Sequence, residues 1–156
     1  MSPDGEDFDA DPEDEDSATA EDFDNVLQAT ANDDTIDGVA SSLSSARTLD
    51  AGDLIDGGDG SDTLNADLQG SFTGFSGDGG MSNVETVNLS NEGSIARSFD
   101  AEDVEGVEEY NLTGDINLSE LGATDAAVNL SDRESGTTTV GFATDVTDGS
   151  SDALAL

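Results

Sequence analysis

Gly57-Gly58-Asp59-Gly60-Ser61-Asp62-Thr63-Leu64-Asn65 gathers three glycines and two aspartates within nine residues. It satisfies every fixed position of the nonapeptide G-G-x-G-x-D-x-U-x, in which U is apolar. Its glycines permit tight turns with positive φ, so backbone carbonyls can point inward. The aspartate at the sixth position adds a hard carboxylate oxygen, and the residues after it form a short strand that buries one apolar side chain. Calcium takes roughly six to eight such oxygens, whereas magnesium demands a tighter octahedron and keeps its waters. Calcium is therefore the expected ion. A plain flexible loop with solvated aspartates is the alternative for the same residues.

Upstream, Asn32-Asp33-Asp34-Thr35-Ile36-Asp37-Gly38 repeats the second half of the motif. Asp34 holds the sixth position and Ile36 the apolar one, with Ala29, Thr30 and Asn32 in place of the glycines. The two Asp-Thr-apolar steps lie 28 residues apart, a spacing that lets adjacent coils share one ion. The candidate metal ligands are Asn32, Asp34, Asp56, Gly57, Asp59 and Asp62. Ser76-Gly77-Asp78-Gly79-Gly80 is a looser third turn.

Downstream, apolar and polar residues alternate at the period of a strand in Val84-Glu-Thr-Val-Asn-Leu89 and Val107-Glu-Glu-Tyr-Asn-Leu112. Ile116–Leu118 and Ala126–Leu130 are shorter versions, and Thr137–Phe142 is a β-branched run. The triplet Asn-Leu-Ser/Thr recurs at Asn88, Asn111, Asn117 and Asn129. The steps Leu64 to Leu89, Leu89 to Leu112 and Leu112 to Leu130 are 25, 23 and 18 residues. Such recurrence predicts an all-β chain: a β-solenoid or β-roll-like stack of short strands, with Gly/Asp-rich calcium-binding turns. The leucines would form an inner column, and the asparagines would meet across strands or form a side-chain ladder. A β-sandwich with accidental self-similarity is the competing architecture. Ser98–Val104 is the one helical candidate, cut short by Gly106 to a turn or two at most.

Composition limits the chemistry. Among 156 residues there are 3 Lys plus Arg against 38 Asp plus Glu, a formal charge of −35. Charge of that size repels nucleic acid and anionic membrane and calls for divalent cations, high salt or a cationic partner. With no Cys and no His, disulfides, ordinary zinc sites and a Ser/His/Asp triad are excluded. No apolar stretch approaches the roughly 18 residues that span a bilayer. Many carboxylates make a chance acid pair easy to find, but no apolar pocket singles one out, so no catalytic residue is expected and the chain reads as no enzyme.

Residues 1–24 carry twelve acidic residues and only Phe8 and Phe23 as large apolar ones. This acidic N-terminal extension reads as disordered alone or as a partner-pairing strand, with the calcium-binding domain spanning 25–156. The spacing Asp7-x-Asp9-x-Asp11 fails as an EF-hand, because Pro12 stands where the loop needs Gly and Ala18 where it needs Glu. The start Met-Ser-Pro-Asp has neither the basic nor the apolar region of a secretory signal.

The ordered run Asn32–Gly38, Leu49–Asn65 and Ser82-Asn-Val-Glu-Thr-Val-Asn-Leu89 resembles the RTX-like surface-layer proteins and type I-secreted repeat adhesins of Gram-negative bacteria. The similarity covers roughly residues 25–132. It implies a secreted, calcium-dependent structural protein that self-assembles into a surface layer, fibre or matrix. It also implies export by type I secretion, with which the ending Ser151–Leu156 is compatible. The expected partner is the chain itself, as a homopolymer formed by strand-edge pairing, with a cell-surface glycan as a further partner and no nucleic acid or membrane insertion. A monomeric calcium- or glycan-binding adhesin module is the alternative, and halophilic surface adaptation is another source of the acidity.

Overall fold

The computed structural model describes residues 17–19, 26–134 and 137–146. Of the acidic extension 1–24, only the backbone of Ser17–Thr19 falls within these residues, and the Asp7–Asp11 run and the ending Ser151–Leu156 lie outside them. The described residues form strands, turns and loops, with no helix among them long and apolar enough to cross a membrane.

Among the described residues, twelve short strands are distributed over three parallel sheets. One sheet holds six strands in the order β1 (Ser17–Thr19), β3 (Thr35–Ala40), β5 (Thr63–Leu68), β7 (Thr86–Ser90), β9 (Glu109–Thr113) and β11 (Ala127–Ser131). A second pairs β2 (Val26–Gln28), β4 (Leu54–Asp56) and β6 (Gly80–Ser82). The third pairs β8 (Arg97–Asp100), β10 (Ile116–Leu121) and β12 (Val140–Phe142).

The all-β expectation matches this arrangement; the β-solenoid or β-roll-like stack does not. The strands belong to three separate sheets, and among the described residues no single roll or closed barrel gathers them. The change from the second sheet to the third lies within the span from Phe72 to Phe99, where large aromatics enter the core. Phe72, Phe75 and Phe99 pack together there, with ring centroids 5.0 Å apart in the Phe72–Phe75 and Phe72–Phe99 pairs. Even-numbered strands up to β6 add to the second sheet, and those from β8, which carries Phe99, add to the third. Beyond β6 the second sheet meets only the isolated bridge Met81–Val104. Phe99 also overturns the helical reading of Ser98–Val104, because it is buried as the inward residue of β8.

Period-two patterning explains the six-stranded sheet. In β5, Leu64, Ala66 and Leu68 are buried while Thr63, Asn65 and Asp67 stay half-exposed. Its neighbours repeat the pattern in register, so Ile36, Leu64, Val87, Tyr110 and Val128 form one inward row. The leucine column is thereby corrected: Leu64 lies opposite Val87, and Leu89, Leu112 and Leu130 align beyond Ala66. Burying rows of aliphatic side chains, at about 25 cal/mol per Å² of apolar surface, is the main term holding so anionic a chain together. Leu112 is 1% exposed, but Leu130 on the edge strand is 42% exposed.

The outward asparagines form a continuous ladder. Asn65 Nδ2 donates to Asp37 Oδ1 at 2.9 Å, Asn88 to Asn65 at 2.8 Å, Asn111 to Asn88 at 2.9 Å and Asn129 to Asn111 at 2.8 Å. Asn117 stands apart in β10, where its Oδ1 accepts the Thr139 N–H.

Candidate cation site at the Asp34–Asp62 corner

Asp34 and Asp62 each directly precede a strand of the six-stranded sheet, and the register of Thr35 with Thr63 sets them side by side. The Asp34 N–H donates to Asp62 Oδ1 at 2.7 Å. The Asp62 N–H in turn donates to Glu85 Oε2 at 2.8 Å, and Glu85 directly precedes Thr86 of β7. One acid per strand therefore caps the backbone of the acid before it. Both aspartates are buried, Asp62 completely and Asp34 to 3% exposure.

Each retains one oxygen without a donor. Asp34 Oδ2 accepts the Thr30 N–H at 2.7 Å and the Thr30 hydroxyl at 2.9 Å, whereas Asp34 Oδ1 is buried with no hydrogen-bond partner. Asp62 Oδ2 is likewise buried and unpartnered. A Cβ added at Gly57 would collide with the Asn83 carbonyl oxygen and lie 2.7 Å from Asp62 Oδ2. Those two acceptors thus face the same small space, which only a glycine leaves open. Acceptors brought together away from water repel unless a proton or a cation lies between them.

The Asp62 carboxyl responds to this setting. Burial pushes it above the usual carboxylate range, and the negative charges of Asp34, Glu85 and Asp33 push it further, against the opposing Asp34 N–H bond. Asp53 is a second buried acid raised by burial, although its Oδ2 accepts the Asp50 N–H at 2.7 Å.

The six candidate ligands from the sequence are spread around this corner. Asp34 and Asp62 are adjacent, and Gly57 borders Asp62 Oδ2. Asp56 turns to its own neighbours, with Oδ1 accepting the Gly58 N–H at 3.1 Å and Asn83 Nδ2 at 2.7 Å. Asp59 and Asn32 are exposed; Asn32 donates to Thr30 Oγ1, and its carbonyl oxygen lies 2.5 Å from a Cβ added at Gly60. Among the described residues, no group of three or more His, Cys, Asp or Glu is placed to hold a metal. The oxygens that share this space are Asp62 Oδ2 and the Asn83 carbonyl, with the Asp34 carboxylate on the adjacent strand, all hard donors of the kind calcium accepts.

Sequence reasoning missed Thr30, Asn83 and Glu85. Glu85-Thr86-Val87 is a third acid-Thr-apolar step after Asp34-Thr35-Ile36 and Asp62-Thr63-Leu64, so its signal was present. Asn83 acts through its backbone oxygen, which carries no residue-type signal. No protein-family model, curated protein or solved structure matches this chain.

Proposed function

We propose that this chain is a non-enzymatic, calcium-binding structural module of a secreted bacterial surface layer, fibre or matrix, in line with its resemblance to RTX-like repeat proteins. The observation that carries the reading is the pair of buried, donor-less oxygens Asp34 Oδ1 and Asp62 Oδ2 on adjacent strands. Calcium at this corner is held by the two carboxylates with help from the Asn83 carbonyl. It neutralises charge that the apolar rows alone must otherwise overcome, and its binding is coupled to folding. A formal charge of −35 makes that coupling strong.

Self-association is the second part of the reading. Strand β11 ends the six-stranded sheet, and the exposed Leu130 continues the buried Leu89–Leu112 row. An edge that no further strand pairs among the described residues is a template for pairing with another chain. Light scattering on the full chain tests it: calcium produces large assemblies from the native chain, and Leu130→Lys keeps it monomeric. A native chain that stays monomeric with and without calcium contradicts the assembly.

A further inference from the structure

We propose that the outer face of the six-stranded sheet binds an uncharged linear polysaccharide, laid across strands β3 to β9 beside the asparagine ladder. This site is distinct from the cation corner and goes beyond the structural role.

A groove of about 460 Å³ runs across this face. Asn65 and Asn88 border one side, Asp67, Ser90 and Thr113 the other, and Thr48 from the segment after β3 closes one end. The register of β5, β7 and β9 makes the bordering residues repeat once per strand, at about 4.8 Å. Asn65 and Asn88 each spend one amide hydrogen and one oxygen lone pair on their ladder neighbours. The amide's second hydrogen and second lone pair remain for a ligand. The groove therefore offers a donor and an acceptor at Asn65 and at Asn88, flanked by the hydroxyls of Ser90 and Thr113.

That chemistry selects among occupants. The backbone groups of β5 and β7 are committed to parallel pairing on both sides, so an extended peptide finds no free ladder to join on this face. Apart from Val39, the outward residues that line the groove are polar, so the apolar face of a partner helix finds no continuous stripe to cover. No Lys or Arg lines the groove, while Asp37 and Asp67 do, so acidic polymers are repelled. A neutral polyhydroxylated chain remains: its hydroxyls both donate and accept, and its rings recur at a distance comparable to the strand spacing.

Isothermal titration of the full chain with cellohexaose, mannohexaose and the N-acetylglucosamine hexamer tests this directly, with a galacturonate hexamer as the acidic control. At least one neutral hexamer binds, and the acidic one does not. Ser90→Arg and Thr113→Arg fill the groove from outward positions, and each weakens binding by about tenfold or more. Ser98→Arg, exposed on β8 of a different sheet, leaves it unchanged. Far-UV circular dichroism identical to the native chain shows that the variants fold. Failure of all three neutral hexamers overturns the proposal, as does equal binding by the acidic hexamer or by both folded groove variants.

Discussion

The Asp34 N–H donates to Asp62 Oδ1 at 2.7 Å across 28 residues of sequence, and this bond joins two buried acids of like charge. Backbone register forces the pair together, because Thr35 and Thr63 must align for the apolar side chains behind them to stack. The strands thus build a repulsive corner in the course of burying their core. An ion or a proton relieves it.

The pH dependence of the calcium-free chain follows from this corner. Asp62 and Asp53 are both raised above the ordinary value of 3.8. Between 3.8 and the raised folded values, the folded state binds more protons than the unfolded one, so stability rises as pH falls through that window. Their penalty is fully present above the folded values and relieved toward 3.8. Thermal melts in EDTA should therefore show Tm increasing from pH 7 toward about pH 4. A Tm that falls steadily over that range contradicts the buried-acid description.

Gly57 and Gly52 separate steric from general effects of glycine replacement. A Cβ at Gly57 meets the Asn83 backbone carbonyl, which cannot swing aside, whereas a Cβ at Gly52 meets nothing within 4 Å. Gly57→Ala should cost about 2–3 kcal/mol of stability in calcium. Gly52→Ala should stay within about 0.5 kcal/mol. Urea unfolding of the two variants side by side provides the comparison, and equal midpoints would remove Gly57 from the account.

The asparagine ladder should contribute measurably at its centre. Asn88 donates to Asn65 and accepts from Asn111, so Asn88→Ala breaks two half-buried bonds and leaves two neighbours short of a partner. A loss of about 1–2 kcal/mol is expected. Asn129→Ala, at the exposed end with one ladder bond, should cost clearly less. Urea midpoints that rank the two the other way contradict a ladder stabilised by its interior bonds.

Much of this arrangement was legible in the sequence, for a definite physical reason. Residues at a constant offset from an inward apolar position repeat at the same place on successive parallel strands. The Asp34–Asp62 neighbourhood and the asparagine ladder both follow from that rule. Matching residue type instead of position misled: Leu64 was aligned with Leu89, yet its structural counterpart is Val87, because each strand has more than one inward site. Three-residue strands such as β4 and β6 carry too little periodicity to reveal their sheet. The change from the second sheet to the third is accompanied by packing of Phe72 against Phe99, a contact distant in sequence that the local pattern does not encode.

Asp62→Asn tests the corner most directly. The amide keeps the oxygen that accepts the Asp34 N–H, removes the charge, and places a donor toward the Asn83 carbonyl. We expect calcium, titrated into EDTA-treated protein in sodium chloride of matched ionic strength, to raise the Tm of the native chain cooperatively. The variant should already melt higher than the calcium-free native chain and gain little from calcium. Equal calcium responses in the two proteins, or a native chain stabilised as well by sodium chloride alone, would contradict the account.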